Sequence, residues 1–239
     1  MRRAPLLALA ALCLAPLATG CTSPGLAAPP GLVALENRLE QGEDDYELRW
    51  QLSSGCLDVV DAHPGAADRD RLAYARKALE YARSAIEQDE EGVEGHFYCA
   101  IALGRVLEFE FLPDLDQIGE LESEAERARE LDSTYEHGGP LRFLALLYMN
   151  APPWPIGPEL AGEEEEIEAL WEEALLLASG WVENHLGFAE FLAEEERDAE
   201  ALAHARQAKA LLATAEPLLP AAREDMRRRI QALLDSLSS

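Results

Sequence analysis

Between Glu163 and Glu195 the apolar residues recur at helical spacing on two consecutive segments. Ile167, Trp171 and Ala174 share one face; His185, Phe188, Ala189 and Leu192 share another. This pattern predicts a helix, a turn at Ala178–Trp181 and a second helix. Two short antiparallel helices cannot bury such faces alone, so neighbouring copies are required. The sequence supplies them. Small residues recur as Ser53, Ala100, Ala145 and Ala189 in the first helix of each unit, and as Ala85, Ala128, Ala174 and Ala208 in the second. Larger core residues keep the same register: Leu52, Cys99, Leu144 and Phe188; Cys56, Leu103, Tyr148 and Leu192; Ala78, Leu121, Ile167 and Ala201. Small side chains at matching offsets are what helix axes about 8–10 Å apart demand where they cross.

The spacing adds a second regularity. Ala85 to Ala100 and Ala174 to Ala189 each take 15 residues, and Ala128 to Ala145 takes 17, so the turn between units is nearly fixed. Within the first three units the two helices are set further apart than in the last. The extra residues are 59–70 (VVDAHPGAADRD), 108–119 (EFEFLPDLDQIG) and 150–162 (NAPPWPIGPELAG). They lie along one edge of a repeat array, either as a binding edge or as lengthened helices that close the core.

These repeats resemble tetratricopeptide (TPR) motifs, with two antiparallel helices, A and B, per unit. The resemblance implies an all-α helical solenoid of about four helix pairs with extended A–B connections. Leu32–Gln41 reads as a short amphipathic helix before the array. After Pro217 and Pro220 a last helix runs to about Leu237, with Met226, Ile230, Leu233 and Leu237 on one stripe and Arg223, Arg227 and Arg228 on the other face. These are the capping helices at the two ends.

The first residues have the three parts of a secretory signal: Arg2–Arg3, an apolar run from Ala4 to Leu17, and a small-residue exit. Pro5 and Pro16 break the run, which is too short to span a bilayer. Leu17-Ala18-Thr19-Gly20-Cys21 resembles a bacterial lipobox, with Ala18 where Leu is more usual. The resemblance implies diacylation at Cys21 and an anchor in the membrane through its lipid. Thr22 and Ser23 then point to the outer membrane, facing the periplasm. The expected division is a signal peptide over 1–20, a lipidated Cys and flexible Pro/Gly tether over 21–31, and the solenoid over 32–239.

Charge narrows the partners. The formal net charge is −26 over 239 residues, and removal of Arg2 and Arg3 makes the remainder more acidic. Such a surface repels phosphate backbones, so no nucleic acid is expected. Catalytic and metal-binding patterns are thin. His63, His96, His137, His185 and His204 lie far apart in sequence, with no HExxH or paired Cys/His spacing. Asp114–Gly119 imitates the start of a calcium loop but has Ile118 and Ala125 where ligands belong. Glu163–Glu166 sit at a helix start, where carboxylates suit the macrodipole. No catalytic residue, cofactor or metal is expected, and the chain reads as no enzyme.

Cys56 and Cys99 fall on the A helices of successive units. In an oxidising compartment they can pair as a disulfide, or remain two small apolar core residues. By the TPR resemblance the A helices also line a concave groove, at Trp50, Phe97, Ile101, Arg142, Leu146, Met149 and Leu186. For so acidic a chain that lining is apolar. It suits a partner protein of the envelope or a small apolar ligand, unless the terminal helices fill it. Finally, His137–Arg142 (HGGPLR) followed by Ala151–Pro155 (APPWP) is similar to the TPR lipoproteins associated with TRAP transporters, the T component. That likeness implies binding to a substrate-binding protein and a hydrophobic ligand.

Overall fold

In the computed structural model the described residues are 25–110, 115–150, 163–215 and 219–238. They form ten helices and no strand: α1 (Pro30–Glu40), α2 (Tyr46–Ala62), α3 (Asp68–Gln88), α4 (Val93–Phe109), α5 (Leu115–Asp132), α6 (Tyr135–Asn150), α7 (Glu164–Leu177), α8 (Val182–Glu194), α9 (Asp198–Thr214) and α10 (Pro220–Ser236). The expected signal peptide, Cys21, and the segments 111–114 and 151–162 lie outside the described residues. Among those described, no helix is long and apolar enough to cross a membrane.

Local chemistry sets the helix ends. Asp45 caps α2 by accepting the Leu48 N–H at 2.9 Å. Pro30 and Pro220 start α1 and α10, where a missing N–H is harmless. Gly42 takes φ +93° just past α1, a conformation that glycine adopts without a Cβ clash. The turn between α7 and α8 falls at Ala178–Trp181, as the periodicity predicts.

The helices pair as the repeats require: α2 with α3, α4 with α5, α6 with α7, and α8 with α9. Successive A helices (α2, α4, α6, α8) also touch one another in order, as in a TPR-like solenoid. All eight small residues of the repeat are fully buried, Ser53, Ala100, Ala145 and Ala189 on A, Ala85, Ala128, Ala174 and Ala208 on B. Burial of the larger residues follows the same register, with Leu52, Leu103, Leu144 and Leu192 at 0% exposure. The first extended connection is a pair of lengthened helices: α2 continues through the buried Val59 and Val60, and α3 begins at Asp68. Farther on, the Arg71 guanidinium lies 4.1 Å over the Phe109 ring and joins the ends of α3 and α4.

Two elements hold features that the periodicity does not give. The His137–Arg142 segment is no simple helix start. Glu136, His137 and Gly138 take φ of 46°, 60° and 82°, three successive left-handed residues, and regular helix follows only after them. At the other end, Arg223 does not face water with Arg227 and Arg228. It donates to the carbonyls of Leu212 (2.9 Å) and Ala215 (3.1 Å), closing the exposed end of α9.

Glycine packing gives a direct stability test. A Cβ on Gly187 would sit 2.1 Å from Cη2 of the fully buried Trp171 indole. A Cβ on Gly119 would meet no described atom within 4 Å. Gly187→Ala is expected to destabilise by about 1–3 kcal/mol through overpacking. Gly119→Ala, in the interior of α5, is expected to stabilise by about 0.5–1 kcal/mol. Urea denaturation of the two variants checks the opposite signs.

Candidate interaction groove

The A helices build the concave side, and the structure divides it into three parts. Trp50 lies in an N-terminal cleft between α1 and α2, with Leu32, Leu35, Ser54 and Asp58. Phe97, Ile101, Arg142 and Leu146 line a central cavity of about 710 Å³, together with Phe143 and Leu147. Leu186 is only 1% exposed and packs in a cluster with Met226 and Ile230 of α10. Met149 turns away from this cavity, its sulfur accepting the Trp171 indole N–H at 3.4 Å. The seven expected groove residues therefore do not form one continuous lining.

The last helix explains the division. Besides α9 and α8, α10 returns to touch α2. Arg229 reaches Glu190 on α8 through two hydrogen bonds, the Nε–Oε1 distance being 2.9 Å. The C-terminal part of the groove is thus filled by the chain itself, while the central cavity and the N-terminal cleft stay open. Helical spacing of apolar residues does not say which neighbour covers them, so the sequence left open whether the terminal helices fill the groove and did not show that α10 fills only its C-terminal part.

The central cavity has an apolar floor and a charged rim. On one side Arg105 pairs with Asp61 (2.9 Å) and Glu108 (2.9 Å). On the other, Arg142 is 14% exposed and lies 3.6 Å from Glu183. Its guanidinium donates to Asn184 Oδ1 at 2.8 Å and to the carbonyls of His137 (3.4 Å) and Glu136 (3.3 Å). Asn184 is itself fully buried and donates from Nδ2 to the carbonyls of His137, Ala174 and Ala178 at 3.0–3.1 Å. Burial pulls the Arg142 pKa below its ordinary value, opposed by Glu183 and Glu136. Arg142 and Asn184 together stitch the left-handed turn to the end of α7 and the start of α8. The His137 ring stacks on Trp181, with centroids 4.1 Å apart.

Two points of side-chain chemistry go beyond what the sequence spacing gives. The histidines do not all stand apart: His185 and His204, on α8 and α9, meet Nδ1 to Nδ1 at 2.9 Å. His185 Nε2 lies 2.9 Å from the Ser179 carbonyl, which only a donor can satisfy. His185 Nδ1 is then the acceptor, and His204 donates to it. Of the two readings of the cysteines, the structure has the second: Cys56 and Cys99 are buried free thiols. Their surroundings differ. Cys56 has Lys77 and Glu36 nearby, whereas Cys99 has Glu124, Glu120 and Arg83. The two thiols therefore have different charged neighbours, Lys77 of α3 for Cys56 and Arg83 of α3 for Cys99. Burial pushes the Cys56 thiol up to about 12 and Cys99 higher still.

Cys99, Glu120 and Glu124 offer three donor atoms within 4.8 Å, the nearest thing to a metal cluster among the described residues. They are already bound otherwise. Arg83 holds Glu120 through both nitrogens, Nε at 3.0 Å and Nη2 at 2.7 Å, and His96 contacts Glu124 at 2.5 Å. A thiol held protonated by burial is a poor ligand beside two neutralised carboxylates.

Comparisons with known proteins bear on the fold. A family model described as Regulator of microtubule dynamics protein 1-3 matches residues 29–137, less than half of the chain. A thermophilic TPR protein of Thermus thermophilus has a solved crystal structure that superposes with a TM-score of 0.61 at 19% identity. The match covers 85% of this chain and 88% of that one. The fold is TPR-like. No curated protein matches.

The imidazole pair sets a pH dependence. Burial lowers the pKa of His185, opposed by the Ser179 carbonyl; burial and then His185 lower that of His204, opposed by Glu200. A histidine depressed on folding contributes stability that is complete above its unfolded value of about 6.5 and is lost as pH falls below it. For His96, burial lowers the pKa, but Glu124 and the Glu90 carbonyl outweigh it and raise the value, so its contribution runs the other way. A His185→Gln/His204→Gln double variant retains His96, and its stability is expected to fall less between pH 7 and pH 5 than that of the parent. Urea midpoints at the two pH values check this.

Asn184→Ala leaves the carbonyls of Ala174, Ala178 and His137 without this donor. The variant is expected to lose about 1–3 kcal/mol of stability, measured by denaturation at pH 7.

Proposed function

We propose that the chain is a membrane-anchored envelope lipoprotein whose TPR-like solenoid holds a partner protein without catalysing a reaction. The observation that carries this reading is the open part of the concave side: an apolar floor of Phe97, Ile101, Phe143 and Leu146 inside a rim of ion pairs. Apolar anchors supply affinity at such a surface, and charges at its rim set orientation. The envelope assignment rests on the lipobox-like Leu17–Cys21 and the signal-like run before it. The microtubule name describes proteins whose shared segment ends before the third helix pair is complete.

A second reading keeps the same cavity and changes its occupant. A space of about 710 Å³ with an apolar floor is within the usual size of small-molecule pockets. On that reading the protein is a periplasmic accessory of a solute transporter, similar to the T component, that carries a hydrophobic ligand or binds the substrate-binding protein.

One purification separates the two. The lipidated protein is extracted in gentle detergent, and both co-purified proteins and small molecules are identified by mass spectrometry. A stoichiometric envelope protein without a small molecule supports the scaffold. A reproducible apolar metabolite, lost in Ile101→Asp, supports the carrier. The anchor has its own test: Cys21→Ser is expected to move the protein from the membrane fraction to the soluble one, and continued pelleting with outer membrane would overturn lipidation.

A further inference from the structure

The N-terminal cleft holds a carboxylate that the chain leaves unused. Asp58 is exposed on the concave side of α2 and has no cationic partner among the described residues. Asp61, one turn on, is already paired with Arg105. Beside Asp58 the cleft opens to about 430 Å³ between Trp50 and the apolar residues Leu32 and Leu35. Trp50 stacks on Tyr98 of α4, centroids 5.9 Å apart and planes 8° from parallel. Tyr98 in turn meets Tyr135, hydroxyl to hydroxyl, at 3.4 Å. The indole is therefore held in place by three successive repeats rather than left to rotate.

We infer that this cleft is a docking site for an arginine side chain of a partner polypeptide, with the aliphatic stem along Leu32 and Leu35, and the guanidinium at Asp58 beside the Trp50 ring. A long cationic side chain has the matching chemistry: an apolar stem for apolar walls, and a planar cation for a carboxylate and an indole face. The chain provides its own precedent at the other end of the groove. There α10 lays Met226 and Ile230 against Leu186 and places Arg229 on Glu190 of α8. Glu190 and Asp58 are both acids on the concave side of an A helix, at the last and the first repeat. One is satisfied by an arginine from a helix laid across the groove; the other waits for one.

This inference rests on the scaffold reading and names the chemistry of its partner. The probe is a capped pentapeptide, acetyl-Leu-Ala-Arg-Ala-Leu-amide, against the same peptide with citrulline, which has the shape of arginine without its charge. Binding to the full chain in detergent is followed by calorimetry and by the indole N–H signal of Trp50. The arginine peptide is expected to bind at least about tenfold more tightly than the citrulline peptide, about 1.4 kcal/mol. Asp58→Asn should abolish that difference with unchanged melting, and Glu87→Gln, an equally exposed acid on α3, should preserve it. Equal binding of the two peptides, or equal effects of Asp58→Asn and Glu87→Gln, would overturn the site and leave only the general attraction of an acidic protein for a cation. Because Asp58→Asn should fold normally, it also separates this proposal from the scaffold reading. If the variant still co-purifies with the envelope partner at wild-type yield, the scaffold stands and the arginine site falls.

Discussion

Ala174 is where three helices come together, and its size sets what surrounds it. A Cβ on Gly138 would lie 3.3 Å from the Ala174 Cα, so the backbone of the left-handed turn within the first residues of α6 rests directly on α7. That close approach holds Glu136, His137 and Gly138 in the left-handed region, at a cost of order 1–3 kcal/mol for each non-glycine residue. The turn in turn aims the carbonyls of Glu136 and His137 at Arg142, and Asn184 ties the same carbonyl of His137 to that of Ala174. Arg142, so held, becomes one wall of the central cavity. A larger residue at the α7 crossing would disturb the packing, the turn and the cavity together.

Much of this architecture was legible in the residues. Small residues at fixed offsets identified the helix crossings, and all eight are fully buried. The turn at Ala178–Trp181 followed from the periodicity on either side of it. Between the two readings of residues 59–70, lengthened helices hold, because Val59 and Val60 continue the apolar face of α2 into the core. What escaped the sequence was every contact that depends on which helices meet. His185 and His204 stand 19 residues apart on different helices, and nothing in their local spacing brings their Nδ1 atoms together. Cys56 and Cys99 lie on neighbouring A helices but one turn apart in the repeat register, and that spacing alone does not say whether the thiols meet. Arg223 sits on the polar side of its helix by pattern, yet the end of α9 offers it unpaired carbonyls. The concave lining could be read as an open strip or as one filled by the terminal helices, because helical phase gives direction and not cover.

Charge is distributed with the same economy of position. Many arginines on the B helices and at their ends bridge to a neighbouring repeat: Arg83 to Glu120, Arg76 to Glu110, Arg127 to Glu91 and Arg197 to Glu168. Exposed pairs of this kind add little stability singly, typically about 0.2–1 kcal/mol by double-mutant measurement. Their value in a chain of net charge −26 is to place scarce cations where acidic helices would otherwise repel across a repeat boundary. Acid in excess of those pairs is left for the concave rim and the outer faces.

The return of α10 to α2 changes the kind of object the array is. An open solenoid behaves as a one-dimensional chain, in which each unit feels only its neighbours and folding can stop at any boundary. Here the last helix touches the first repeat and is pinned by Arg229 to the fourth, so contacts widely separated in sequence close a loop through the whole domain. Terminal units of such a closed array are not free to fray independently. Removal of either end deprives α10 of contacts that also hold the other, so the two ends share one linking element.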